Sequence, residues 1–93
     1  MELNDLYQLV NDRKQNPQPG SYTNQLLEAG EDTILKKVAE EAMEVILAGA
    51  KQGKQRLIEE ISDLQYHLKV TMVYYGVTPE DIAAELEKRH VKE

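Results

Sequence analysis

Two short stretches carry the residues that could do chemistry. In VAEEAMEVILAGA (Val38 to Ala50) three carboxylates, Glu40, Glu41 and Glu44, interrupt a run of aliphatic residues. In LIEEISDLQYHL (Leu57 to Leu68) Glu60 and Asp63 do the same. Both stretches have the spacing acid-x-x-acid, which on a helix brings two side chains to one face a turn apart. A surface helix keeps acids on a solvated face and aliphatics on the other. On a wheel turning about 100° per residue, Glu41 instead falls between Ile34 and Ala48, and Leu47 and Met43 follow beyond Glu44. Glu60 likewise lies at the edge of the arc formed by Leu57, Ile61, Leu64 and Leu68, with Asp63 about 60° beyond. Several carboxylates brought together would repel one another, and hard divalent cations with all-oxygen coordination, Mg²⁺ or Mn²⁺, relieve that repulsion. The chemistry on offer is the binding of a hard divalent cation by oxygen ligands from two helices.

The elements that would position these acids are helices. Glu2 to Arg13 places Leu3, Leu6, Tyr7 and Val10 at helical spacing and ends in the Pro- and Gly-containing KQNPQPG. A short helix follows over SYTNQLLEAG, with Ser21 as N-cap and Gly30 as its stop. A long helix is expected from an N-cap at Asp32 to Lys51, a break at Gln52-Gly53, and a second long helix from Lys54 to Tyr75 before Gly76. The final helix opens at VTPEDI, with Thr78 as N-cap, Pro79 in the first helical position, and Glu80 and Asp81 in the first turn. Two long helices joined by about two residues must fold back as an antiparallel hairpin. Residues at equal height on such a hairpin are equidistant from its turn. The pairs Glu41/Asp63 and Glu44/Glu60 are both centred on position 52, the position of the break. Four carboxylates, Glu41, Glu44, Glu60 and Asp63, are therefore expected to meet at two levels as the metal ligands. One acid pair is the ordinary content of a solvated helix; two pairs with matched heights and matched flanks are much harder to account for that way. Glu40 and Glu59 sit further out on the wheel. Lys37 and Arg56 lie one turn before Glu41 and Glu60, either as i, i+4 salt bridges or as phosphate contacts beside the metal. His67, one turn beyond Asp63, is expected as a hydrogen-bond partner beside the site rather than a ligand or base.

Composition narrows the alternatives. The 93 residues suffice for one all-α domain, 1–93. Aromatics make up 5%, with no Phe and no Trp, so the core is aliphatic and small. Burying more of it by homodimerisation, which would complete a four-helix-bundle-like core around the hairpin, is the expected remedy. There are no cysteines, which rules out disulfides and thiolate metal sites and fits a cytoplasmic location. MELNDLYQLV lacks the features of a secretory signal, and no apolar run approaches a membrane span. With 17 acids against 11 Lys and Arg, the net charge of −6 argues against nucleic acid as a partner. No glycine-rich phosphate loop of the G-x-x-x-x-G-K-S/T kind is present, so phosphates must be held by metal and side chains.

The arrangement Glu40-Glu41-x-x-Glu44 followed by Glu60-x-x-Asp63 resembles the E-E-x-x-E…E-x-x-D signature of the all-α nucleotide pyrophosphohydrolases related to MazG. Within that superfamily SYT (Ser21 to Thr23), ILKKVAEEAMEV (Ile34 to Val45), EEISDLQYHL (Glu59 to Leu68) and LEKRH (Leu86 to His90) are similar to the phosphoribosyl-ATP pyrophosphohydrolase family, over nearly the whole chain. Ala39 departs from the Gly often found there in the family. The resemblance implies hydrolysis of phosphoribosyl-ATP to phosphoribosyl-AMP and pyrophosphate, the second step of histidine biosynthesis, by metal-assisted attack of water on a phosphoanhydride with Glu41 or Glu44 as the candidate catalytic base. It further implies Mg²⁺ dependence, a homodimer, metal ligation by Glu41, Glu44, Glu60 and Asp63, and substrate contacts from Ser21, Tyr22, Thr23, Lys37, Arg56 and His67. Two other readings compete: a house-cleaning nucleoside triphosphate pyrophosphohydrolase, which would share the acids without needing SYT or LEKRH, and a non-catalytic helical dimerisation module, for which the acids would be dispensable.

Overall fold

The computed structural model describes residues 1–90, and among them five helices and no strand: α1 (Leu3–Gln15), α2 (Tyr22–Ala29), α3 (Glu31–Lys51), α4 (Lys54–Tyr75) and α5 (Pro79–His90). The helix starts follow local chemistry. Ser21 caps α2 by accepting a hydrogen bond from the Asn24 amide at 3.2 Å. At α5 the Asp81 amide donates to Thr78 Oγ1 (3.1 Å) and the Thr78 amide donates back to the Asp81 carboxylate (2.9 Å). Asp32 is not the cap of α3. Gly30 takes that place with φ 92°, so a single residue both ends α2 and starts α3, and Asp32 lies in the first turn, where an acid favours the helix dipole. The loop after α1 is held by Asn24, whose side chain accepts from the Gln18 amide at 2.9 Å and donates to the Arg13 carbonyl at 2.8 Å.

Helices α3 and α4 form the antiparallel hairpin, turning at Gln52 and Gly53, whose φ of 86° is left-handed. The two arms approach closely near the turn: a methyl added to Gly49 would lie 3.5 Å from Leu57 Cδ1. The buried core sits at the opposite end. Tyr7 and Val10 of α1, Leu26 of α2, Ile34 of α3, and Val70 and Val73 of α4 form one cluster, with Leu6, Leu27, Tyr66, Met72 and Tyr74 packed against it. Helices α1 and α2 are short, so they cover only the open end of the hairpin. The remaining length stays bare: Met43, Ile46 and Leu47 on α3 and Ile58 and Ile61 on α4 are exposed, as is every residue of α5 from Glu80 to His90. Ile61 belongs by wheel position to the apolar arc of α4, yet it remains exposed at the border of an open pocket that Leu3 and Leu6 of α1 also line. The acids lie midway, between the covered end and the bare one.

Candidate active site

Glu40, Glu41, Met43 and Glu44 of α3 face Glu60 and Asp63 of α4 across an open cleft of about 650 Å³. Carboxylate oxygens of Glu41, Glu60 and Asp63 lie within 4.8 Å of one another. Glu44 lines the same cleft from an exposed position outside that trio, about 60° round α3 from Glu41. Glu60 is buried, with 7% of its surface exposed; Glu41 is half-buried and Asp63 exposed. The trio thus spans both arms of the hairpin and runs from its interior to its surface. Its donor set is all oxygen and anionic, which fits a hard divalent cation that keeps some of its coordination for water or phosphate. Glu40, placed further out by the wheel, lines the cleft as well.

Each arm carries one cation beside these acids. Lys37 Nζ stands 3.6 Å from Glu40 and 3.9 Å from Glu41. The Arg56 guanidinium bonds Glu59 through one nitrogen and Glu60 through the other. Pairing with Glu59 and then Glu60 makes the Arg56 proton harder to remove than usual, and the bond from Arg56, followed by one from Gln55, holds the Glu59 carboxyl below its ordinary range. The salt-bridge geometry expected at i, i+4 is therefore present on both arms.

The SYT segment does not line the acidic cleft; it meets α4 at the Tyr66-His67 pair, just beyond Asp63. Thr23 Oγ1 and the Tyr66 hydroxyl share a hydrogen bond at 2.5 Å. The Tyr22 ring stacks against Tyr66 with centroids 6.3 Å apart and meets His67 edge-on at 6.5 Å, while Tyr66 and His67 are edge-on at 5.0 Å. Burial raises the Tyr66 phenol above its usual range, and the bond from Thr23 partly opposes this. Ser21 and Thr23 thus spend their hydroxyls within the fold, on the α2 cap and on Tyr66, whereas the Tyr22 ring remains half exposed. His67 is buried and donates from Nδ1 to the backbone carbonyl of Asp63 at 2.9 Å. In the neutral ring its Nε2 is then an acceptor, and it has no partner among the described residues. The histidine braces the turn of α4 that carries Asp63 rather than pointing a nitrogen at the carboxylates. Tyr66 is the residue that sequence reasoning left without a role; its adjacency to His67 was the available signal.

A hairpin of helices that gathers carboxylates from both arms onto one cleft, beside paired cations, defines an all-α protein with an acidic cleft whose donor set could hold a cation. Comparison with known proteins carries this further: residues 3–90 match the phosphoribosyl-ATP pyrophosphohydrolase family, and the chain belongs to that family. It is 48% identical over 90 residues to a phosphoribosyl-ATP pyrophosphatase from Pelotomaculum thermopropionicum, covering 97% of this chain and 92% of that protein. A phosphoribosyl-ATP pyrophosphatase from Sulfurisphaera tokodaii is 49% identical over 87 residues, covering 94% of this chain and 93% of the relative. The histidine biosynthesis bifunctional protein HisIE of Caldanaerobacter subterraneus subsp. tengcongensis is 51% identical over 90 residues, but the match takes in 44% of that longer protein. No helix among the described residues is long and apolar enough to cross a membrane.

Proposed function

We propose that this chain hydrolyses phosphoribosyl-ATP to phosphoribosyl-AMP and pyrophosphate, a step of histidine biosynthesis, with Mg²⁺ (or Mn²⁺) held by Glu41, Glu60 and Asp63. The observation that carries the proposal is the convergence of those three carboxylates within 4.8 Å in a chain that belongs to this family. When bound, the cation neutralises phosphate charge and stabilises the departing pyrophosphate. The nucleophile is water: the chain has no cysteine, and the Ser21 and Thr23 hydroxyls are occupied. Glu44 lines the cleft without belonging to the converging trio, which leaves its carboxylate free to take the proton as water attacks. Lys37 and Arg56 supply positive charge at the cleft edge for the remaining phosphate oxygens. Tyr22 keeps part of its ring exposed where it packs against Tyr66 and His67.

Substrate choice tests this reading. In a panel of phosphoribosyl-ATP and free nucleoside triphosphates, kcat/KM for phosphoribosyl-ATP should exceed the others by about a hundredfold, because contacts to the added ribose phosphate are available only there. Equal turnover across the panel would favour a house-cleaning enzyme instead.

The bare face of the hairpin supports a homodimer. Met43 (54% exposed), Ile46 (63%) and Ile58 (47%), with Ile82 and Leu86 of α5, form more exposed apolar surface than a small monomer ordinarily keeps. A second copy of the hairpin would complete four long helices around these residues. Sedimentation at micromolar concentration should give twice the chain mass, and a stable monomer would overturn the proposal.

A further inference from the structure

Lys37 and Arg56 occupy equivalent places, one helical turn before Glu41 on α3 and Glu60 on α4. An ordinary surface pair joins two exposed side chains and contributes little; Arg89 and Glu85, with side chains 73% and 49% exposed, are of that kind. The two cleft pairs differ. Their carboxylates are the most enclosed in the cleft, with side-chain exposures of 15% for Glu41 and 9% for Glu60. An enclosed carboxylate without a counter-ion is costly, so each cation offsets that cost and holds its acid in place. Yet Glu41 and Glu60 are also two of the three acids whose oxygens converge. Cation side chain and metal ion therefore make claims on the same oxygens.

We propose that Lys37 and Arg56 are resident counter-ions that compete with the divalent cation for Glu41 and Glu60 and pass to the substrate's phosphates when the cation takes their place. This rests on the metal reading of the cleft. With a divalent ion held there, Glu60 would be neutralised by two charges, and the Arg56 guanidinium would lose its attraction to that carboxylate and be repelled. Arg56 has somewhere to go. Its side chain is 45% exposed, and its second bond, to the exposed Glu59, keeps it within a turn of the cleft. The Glu59 pair is made through a different guanidinium nitrogen, so this tether does not depend on the bond to Glu60. An incoming polyphosphate then offers Arg56 a bidentate acceptor and Lys37 a point charge. Metal and polyphosphate consequently reinforce each other, and the free protein holds metal more weakly than its acids alone would.

The decisive measurement uses Mn²⁺ alone, with free ion quantified by electron paramagnetic resonance, on the full chain. Arg56→Gln should bind Mn²⁺ about fivefold more tightly than the unaltered protein, since it loses a charge-assisted competitor at a largely buried acid. Arg56→Lys, which keeps the charge, should remain near the starting affinity. Lys36→Gln controls for net charge, because Lys36 is exposed and forms no ion pair among the described residues; it should change affinity by less than about twofold. In turnover, Arg56→Gln should raise KM for phosphoribosyl-ATP more than it lowers kcat. Mn²⁺ affinity that is unchanged or weakened in Arg56→Gln would overturn the counter-ion proposal and leave the metal reading standing. Failure of the unaltered protein to bind Mn²⁺ at all, with no difference in Glu60→Gln, would overturn both. Should Arg56→Gln not fold, Lys37→Gln against Glu41 decides the question in its place.

Discussion

Asp63→Asn is expected to lower phosphoribosyl-ATP turnover by at least about a hundredfold while the protein remains folded, the scale on which loss of one catalytic electrostatic contact is felt. The amide keeps the volume of the carboxylate and removes the charge that a metal requires. Asp63 is exposed, so no core contact is disturbed, and its backbone carbonyl still accepts from His67. In the metal-free state the variant should melt at or above the temperature of the unaltered protein, because one of the mutually repelling charges is gone. Circular dichroism on the chelated protein separates this outcome from a folding defect. Glu59→Gln is the internal comparison. Its side chain is 47% exposed and touches Arg56 and Gln55 rather than the cleft acids, so it should alter turnover by no more than a few fold. If Glu59→Gln abolished turnover and Asp63→Asn did not, the hairpin register assigned to the acids would be wrong.

Removal of metal should have a comparably large effect and can be read in two independent ways. Protein treated with EDTA and dialysed should be inactive, and Mg²⁺ should restore turnover. The same titration should raise the melting temperature. A ligand that binds the folded state alone stabilises it by about 2.7 kcal/mol at a hundred times its dissociation constant. For a chain of this size that corresponds to a rise on the order of ten degrees. The rise should vanish in Glu60→Gln, which leaves the trio without its buried member. Full activity after rigorous chelation, with no thermal response to added Mg²⁺, would sink the metal reading.

The helices and their order could be read from residues with strong local preferences. Ser21, Thr78 with Pro79, and Gly76 mark boundaries through bonds or dihedral angles that involve near neighbours, and the structure shows them in those roles. Lys54 to Tyr75 has the same bounds in both descriptions. Asp32 was misplaced because a competing local signal, the left-handed Gly30, lets two helices abut without a loop, and nothing in the pattern of acids shows this. The acidic cleft was readable because height on a hairpin follows from distance to the turn. Side-chain reach is not contained in that count. Hence matched levels suggested four equivalent carboxylates, whereas three converge and Glu44 lines the wall. Least readable was the location of the core. Wheel positions cannot tell whether an apolar residue is covered by its own chain, as Ile34 is, or left bare, as Ile61 is. That depends on how far the short helices α1 and α2 extend along the hairpin.

The turn at Gln52 and Gly53 separates what the chain can change from what it must keep. An extra residue at the turn itself can be taken up as loop, because helical phase is counted separately along each arm. Inside either arm, between the acids and the turn, the same insertion would swing one acid pair by about 100° relative to the other. The stretch from Glu44 to Glu60 therefore behaves as a ruler: its polar surface residues other than Arg56 are open to substitution while its helical spacing is not. Lineages carrying this fold should accumulate replacements there freely, and place their insertions and deletions at the turn or outside the two long helices.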